Sequence, residues 1–309
     1  MSIAAIVVTY QPQEVLLLRV LKNLIPQVDQ IYLIDNTPLN AEGVGVNAWF
    51  NAAWLQSFGG QIDYQPLGSN YGIAKAQNIG FELALKASCE EILFFDQDSY
   101  PPSNLVAGLL QARFQVEKQG EQVGAIGPAI LDEKSQVLSP VIRTGTFWVK
   151  AVHYPRNWGQ PIPTDYIISS GSLISAKVMR MVGPMLEKLF IDWVDVEWGL
   201  RAQQRGYVNY VAPNVIMRHS IGDECVRVGN KTINLHSETR NYYIVRNACY
   251  LVRNSSLSFA WRFTVGVKIP IYIIFYSYTS KGSIGGALIA LLKAAYHGWT
   301  GKMGAVSLL

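Results

Sequence analysis

Short β-branched runs alternate with longer helix-period segments through the first hundred residues. "IAAIVVT" (3–9), "QIYLID" (30–35), "QIDYQP" (61–66) and "EILFFD" (91–96) read as strands. Between them, "EVLLLRVLKNL", "NAWFNAAWLQSF" and "IAKAQNIGFELALKA" place apolar residues at the spacing of a helix with one buried face. Strands roughly 30 residues apart, joined by helix-length segments, predict βαβ units and a mostly parallel sheet covered on both faces. Right-handed crossovers then set the carboxyl ends of the strands along one edge. Open α/β sheets bind ligands at that edge. Here it receives Thr9 and Tyr10, then Asp35 and Asn36, then "GSNYG" (68–72) with Asn70, then "DQDS" (96–99).

Beyond residue 120 the pattern is mixed. "VGAIGPAIL" reads as a further strand, "TGTFWVKAV" and "TDYIISSGSLIS" as strands or loops, and "VNYVAPNVIM" as strand-like. "FIDWVDVEWGLRAQQRGY" reads as a loop entering a helix that Arg205-Gly206 closes. After "RNYYIVRNACYLVRN" come two apolar segments, 263–279 and 285–299, each interrupted by Lys, Pro, Gly or His. Neither offers the roughly 18 to 20 uninterrupted apolar residues of a bilayer span, so they predict interfacial helices. The expected organisation is a catalytic unit over 1–240 and a helical, basic, membrane-associating region over 241–309. Within the first, about 1–100 carries the regular alternation and about 120–240 the mixed pattern.

Charge sharpens this division. The net +4 conceals a C-terminal quarter, from Arg240 onward, with eight Lys/Arg and no Asp or Glu. The preceding 239 residues carry 18 basic and 22 acidic side chains. A basic, Tyr- and Trp-rich end suits an anionic membrane surface, and pairing with a second copy is its alternative. Cys89, Cys225 and Cys249 are widely spaced and lack a C-x-x-C pattern, which points away from zinc and disulfides and toward a reducing compartment. The N-terminus has no basic leader and reads as a first core strand.

Chemistry concentrates in a few places. Asp96 and Asp98, one residue apart after an apolar strand, can both face a divalent cation whose remaining positions a diphosphate fills. Alternatively, Asp98 or Ser99 caps a helix over "PPSNLVAGLL". Asp35 can accept from a pyrimidine N–H, with Thr9 and Tyr10 offering a hydroxyl and a ring, or "DNTP" is simply a turn. Gly68 and Gly72 supply adaptable backbone ahead of Lys75 and Asn78, without the spacing of a phosphate-binding P-loop. Asp192, Asp195 and Glu197, interleaved with Trp193 and Trp198, can supply a general base beside rings that stack on sugars. An acidic helix start is the other reading. Arg240 and Arg246 flank Tyr242 and Tyr243 and can bind a donor diphosphate or a pyrophosphate-linked lipid acceptor, or form a solvated basic face. Ser170 and Gly171 in "SSGSLIS" offer contacts to a sugar, or a tight connection between strands. His219 reads as a structural hydrogen-bonder or a ligand.

"IVVTYQP", "IDN", "GSNYGIAKAQNIGF", "LFFDQDSYPP", "SSGSLIS", "FIDWVDVEWGLRAQQRGY", "RHSIGD" and "RNYYIVRN" stand in the order and at about the spacing of glycosyltransferase family 2. They most resemble its bacterial rhamnosyltransferase branch, over residues 3–250. The resemblance implies a GT-A fold, a nucleotide-activated sugar, Mg²⁺ or Mn²⁺, and inversion at the anomeric carbon. By that resemblance Thr9, Tyr10 and Asp35 hold the base, and Asp96 and Asp98 the metal, Asp98 more directly. His219 approaches the metal or diphosphate. Relatives place a Glu-Asp pair at a helix start where this chain has Val194 and Asp195, so Asp195 is the expected base, with Glu197 and Asp192 nearby. The donor implied is dTDP-L-rhamnose. The acceptor is a lipid-linked saccharide at the cytoplasmic face of the bacterial inner membrane. The fold the resemblance implies is α/β of the GT-A type, a mixed and mostly parallel sheet with a C-terminal helical extension, in which about 1–100 would be the nucleotide-sugar half and about 120–240 the acceptor half.

Other classes are less well served by the sequence. A UDP-sugar donor keeps the fold and metal. A nicotinamide oxidoreductase wants G-x-G-x-x-G after the first strand, where "TYQPQE" stands instead. The basic tail alone prompts nucleic-acid binding, which is not expected here, and a non-catalytic sugar-binding module is the remaining alternative.

Overall fold

A computed structural model describes residues 1–40, 52–132, 136–219, 224–228, 231–235, 237–254 and 257–306. The first third alternates β1 (Ile3–Thr9), α1 (Glu14–Leu24), β2 (Gln30–Asp35), α2 (Ala52–Gln56), β3 (Ile62–Pro66), α3 (Ile73–Lys86) and β4 (Glu91–Asp96). Then come α4 (Leu105–Glu117), β5 (Val123–Asp132), a hairpin of β6 (Val141–Thr144) and β7 (Val149–Val152), β8 (Ile162–Thr164) and β9 (Ser172–Ser175). The chain continues through α5 (Ala176–Val182), α6 (Val194–Gln204), β10 (Val208–His219), β11 (Glu224–Val228) and β12 (Lys231–Leu235). Three helices complete it: α7 (Glu238–Asn254), α8 (Phe259–Tyr278) and α9 (Ile284–Thr300).

Eight strands form one sheet in the order β3-β2-β1-β4-β9-β5-β10-β8. β3, β2, β1 and β4 are mutually parallel, β9 lies antiparallel between β4 and β5, β10 is parallel to β5, and β8 is antiparallel to β10. This is the expected mixed, mostly parallel sheet. Every residue of β1 is buried, as a central strand with helices on both faces requires. Two apolar cores flank the sheet, one including Ile6, Ile34, Phe94 and Trp198, the other including Leu17, Leu33, Phe95 and Met217.

β9 brings the loop 169–171 to the carboxyl end of β4, because its first residue, Ser172, pairs with Phe94. Gly171, at φ +83°, donates its N–H to the Phe94 carbonyl at 2.9 Å, and a Cβ there would stand 2.9 Å from the Pro128 ring. A glycine is needed at this approach.

The two C-terminal apolar segments are more continuous than their sequence suggests. α8 runs through Pro270 for 20 residues and is, by length and composition alone, able to cross a membrane, with a third of its apolar window buried in the protein. The helix begins four residues before the apolar run, at Phe259, where Ser258 caps it by accepting from the Trp261 N–H.

Candidate active site

Asp96 closes β4 and is half-buried; its N–H donates to Ser170 Oγ at 3.3 Å, and Ser170 donates to Ser99 Oγ at 2.7 Å. Asp98 is exposed two residues on. α4 starts only at Leu105 after Asn104, so neither Asp98 nor Ser99 caps it, and the helix-cap reading fails. Between the two acids, Gln97 clamps the end of β1: its Oε1 accepts from the Tyr10 N–H at 2.7 Å and its Nε2 donates to the Tyr10 carbonyl at 3.1 Å.

Asp195 sits in the first turn of α6, half-buried, and its carboxylate accepts from the N–H groups of Val196 and Ser169. The "SSGS" loop thus bridges two acids, Ser169 reaching Asp195 while Ser170 reaches the Asp96 backbone. Burial, then the charges of Asp98 and Asp195, raise the Asp96 pKa to about 7, against an opposing pull from Arg240. Burial also raises Asp195 to about 6; its backbone hydrogen bonds oppose this and Asp192 adds to it.

The approach to α6 is strained. Phe190 (φ +67°, ψ −65°) turns the chain, with the Ile191 N–H on the Leu189 carbonyl at 2.8 Å, and Asp192 and Trp193 continue at φ +60° and +66°. Asn247, buried, holds this turn by donating to the carbonyls of Leu189 and Ile191 at 2.9 and 2.8 Å. Arg240 pairs with Asp192 at 3.0 Å and its charge also acts on Asp96, while Arg19 Nη2 donates to the Asp98 carbonyl at 3.0 Å.

Thr9 and Thr37 donate to Asp35 Oδ1 at 3.0 and 2.6 Å, and Tyr64 donates to Oδ2 at 2.9 Å, so buried Asp35 ties three strand ends together. Tyr10 is exposed beside it. Asn36 donates to Asn70 Oδ1 at 2.9 Å, joining the loops after β2 and β3. Lys75 is paired with Glu187 at 3.2 Å. The backbone of His219 pairs with Asp132; its side chain lies outside the described residues, as do 220–223 of "RHSIGD".

Four assignments are corrected by burial. Arg246 is fully buried, donating to the carbonyls of Gly304 and Leu189 at 2.5 and 3.0 Å and to Asn247, so it secures the chain end and not a diphosphate. Trp198 is buried with its indole N–H on the Gly183 carbonyl at 2.9 Å, a core position closed to an acceptor. Glu197, also buried, binds Arg201 through both oxygens at 2.8 Å and is not placed to take a proton. Ser170 is buried too, and with Gly171 it braces β4 without facing a sugar.

Trp193 donates its indole N–H to the Ile244 carbonyl at 3.1 Å and lines a cavity of about 510 Å³ between α6, α8 and the β6–β7 hairpin. Its walls include Tyr166, Trp261, Tyr272 and Tyr276, with Lys150 and Lys268. Sequence reasoning missed these residues. The signal was the spacing of Lys268, Tyr272 and Tyr276, four apart and so on one helix face.

Among the described residues, no three His, Cys, Asp or Glu side chains converge closely enough to hold a metal ion alone. Asp96 and Asp98 nevertheless fit Mg²⁺ or Mn²⁺, because hard cations take oxygen ligands and share them with a bound diphosphate. The mutual repulsion registered at Asp96 is what such a charge would relieve.

No protein-family model matches the chain. Over 182 residues it is 36% identical to the dTDP-rhamnosyl transferase RfbF of Shigella flexneri, covering 59% of this chain and 60% of that protein. The chain thus spans less than two thirds of this curated relative. Among solved structures, GalNAc-T7 with UDP, GalNAc and Mn²⁺ superposes with a TM-score of 0.59 at 12% identity, over 97% of this chain and 56% of that one. S. aureus TarS 1–349 in complex with UDP-GlcNAc gives 0.59 at 13% identity, over 96% and 81%. At these identities the structural likeness establishes the fold, which is GT-A.

Proposed function

We propose that this GT-A chain is an inverting glycosyltransferase that moves L-rhamnose from dTDP-L-rhamnose to a lipid-linked saccharide during synthesis of a bacterial surface polysaccharide. The observation that carries the reading is that one loop holds both acids: the Ser169 N–H meets the Asp195 carboxylate at the start of α6 while Ser170 Oγ accepts from the Asp96 N–H at the end of β4, and burial raises Asp195 to about 6. Such a carboxylate is ionised at neutral pH yet basic enough to accept a proton in a transition state. The likeness to the Shigella flexneri rhamnosyl transferase supports the donor.

In this reading an acceptor hydroxyl oxygen attacks the anomeric carbon from the face opposite the diphosphate, and its proton passes to Asp195. The bond from the anomeric carbon to the phosphate oxygen breaks, its electron pair leaving with dTDP. Asp96 and Asp98 would hold Mg²⁺ or Mn²⁺, which supplies positive charge to the leaving group. Arg240 adds a fixed cation on the same side. Asp35, Thr9 and Tyr10 border the place for the base, with Asn36 and Asn70 fixing the adjoining loops.

Membrane attachment belongs to the same proposal. α8 and α9 leave Ile271, Ile274, Tyr278, Ile289, Tyr296 and Trp299 exposed in a region free of acids after Glu238. That combination supports peripheral binding to an anionic cytoplasmic surface.

A panel of nucleotide-sugars, each with Mg²⁺ or Mn²⁺ and with chelator, tests the reading. Chelator-sensitive release of dTDP from dTDP-rhamnose alone is expected. Use of a UDP-sugar instead would discard rhamnose, and no turnover with any donor in the presence of lipid-linked acceptors would discard the enzyme.

A further inference from the structure

The cavity beside α6 is not part of the nucleotide crevice. Asp192, Trp193 and Val196 face it, whereas Asp195 faces Asp96. The two spaces meet at Tyr166, which lines the cavity and whose phenol pKa is raised by burial and then by the charge of Asp195. An occupant of the cavity is therefore separated from Asp195 by the Tyr166 ring.

Its chemistry is legible from its walls. About 510 Å³ is within the range of small-ligand sites. Five aromatic side chains, Tyr166, Trp193, Trp261, Tyr272 and Tyr276, offer faces and hydroxyls of the kind that pack on sugar rings. Lys150 from β7 and Lys268 from α8 bring two ammonium groups to the same space, and neither has an ion-pair partner among the described residues. The acid in the wall, Asp192, is already paired with Arg240. Burial disfavours the Lys268 ammonium, and an anion beside it would offset that cost.

The strand and the helix that carry the lysines are joined. The Val149 N–H donates to Thr264 Oγ1 at 3.0 Å, fixing β7 to α8. Beside this joint the exposed rings of Trp148 and Phe263 meet edge to face at 4.7 Å, next to exposed Phe147 and Phe259. An apolar tail leaving the cavity past the lysines would meet this patch.

We propose that the cavity binds the acceptor as a phosphorylated saccharide, its sugar among the aromatic rings and its phosphate between Lys150 and Lys268. This rests on the glycosyltransferase reading and adds the charge class of the acceptor and the residues that recognise it. The phosphate can belong to a lipid diphosphate or to a soluble sugar phosphate; the apolar patch favours the former.

The test uses the full chain with chelator present and monitors tryptophan fluorescence, since Trp193 and Trp261 line the cavity. Farnesyl diphosphate, glucose 1-phosphate, inorganic pyrophosphate and farnesol are the probes. Phosphorylated probes should bind and farnesol should not, and Lys150→Gln or Lys268→Gln should each weaken binding about tenfold. Lys293→Gln, on exposed α9, should leave it unchanged. Tighter binding of farnesyl diphosphate than of glucose 1-phosphate identifies a lipid source, and the reverse a soluble one. Equal binding of farnesol, or equal loss in Lys293→Gln, would overturn the proposal in favour of plain lipid or charge attraction. Loss in Arg240→Gln with none in the two lysine variants would overturn it in favour of the nucleotide crevice. Lysine-dependent phosphate binding without donor turnover would leave this site standing while removing the enzymatic reading, so the two fail separately.

Discussion

Asp195 and Glu197 show how differently two acids on one helical turn are used. Glu197 is spent on Arg201, while Asp195 keeps a raised pKa in the crevice. Because a base acts only when ionised, turnover should rise with pH through about 6 and level off above it, read as kcat against pH. Glu197→Gln should retain that profile and lose stability instead, by roughly 1–3 kcal/mol, since it removes the charge that a half-buried Arg201 guanidinium pairs with. Asp96 bears on stability in the opposite sense. Its folded pKa, about 7, lies above that of an unfolded aspartate, so between those values the folded chain holds more protons. Metal-free stability should therefore fall as pH rises from about 4 to 7. Asp96→Asn should then raise the melting temperature of metal-free protein at pH 8 by several degrees. A lowered melting temperature would contradict the charge balance proposed for the crevice.

At the scale of elements, the strained turn before α6 is held from two directions. The Phe190 carbonyl lies where a Cβ on Gly72 would stand, 2.5 Å away, and Gly72 itself is at φ +83°. Gly72→Ala should cost at least 2 kcal/mol, by order of magnitude, in denaturant unfolding. From the other side, Arg246 and Asn247 on α7 bind the carbonyls around Leu189. Arg246→Met should destabilise by about 3 kcal/mol, leaving buried acceptors unpaired. These dependencies explain what the sequence could and could not reveal. The alternation of "IAAIVVT", "QIYLID" and "EILFFD" with helical segments made the parallel strands and their polar ends readable, because period and burial are local properties. β9 was not readable as a central strand: "SLIS" is too short to carry a period, and its place between β4 and β5 is set by tertiary pairing. Arg246 looked like a phosphate ligand because nothing local distinguishes a buried arginine satisfied by distant carbonyls from an exposed one.

For the whole molecule, the GT-A sheet brings the residues proposed to hold the nucleotide to one side of α6, and α8 with the β6–β7 hairpin builds a second space beside it. Lys268 looked in the sequence like an interruption of an apolar run; in three dimensions it sits with Lys150 in the wall of that space. The apolar surface of α8 and α9 belongs to the same scale. The full chain should sediment with vesicles containing anionic lipid and should be released by alkaline wash, as an attached protein is. Retention through the wash would mean that α8 inserts across the bilayer.

The central claim is that Asp195 takes the acceptor's proton in sugar transfer from a donor held at Asp96 and Asp98. Its most direct test compares wild type and Asp195→Asn for dTDP-rhamnose binding and for transfer to a lipid-linked acceptor under single-turnover conditions. The account predicts donor affinity within a few-fold of wild type and transfer slowed by about 10²–10⁴. An Asp195→Asn enzyme that transfers rhamnose at the wild-type rate would contradict it.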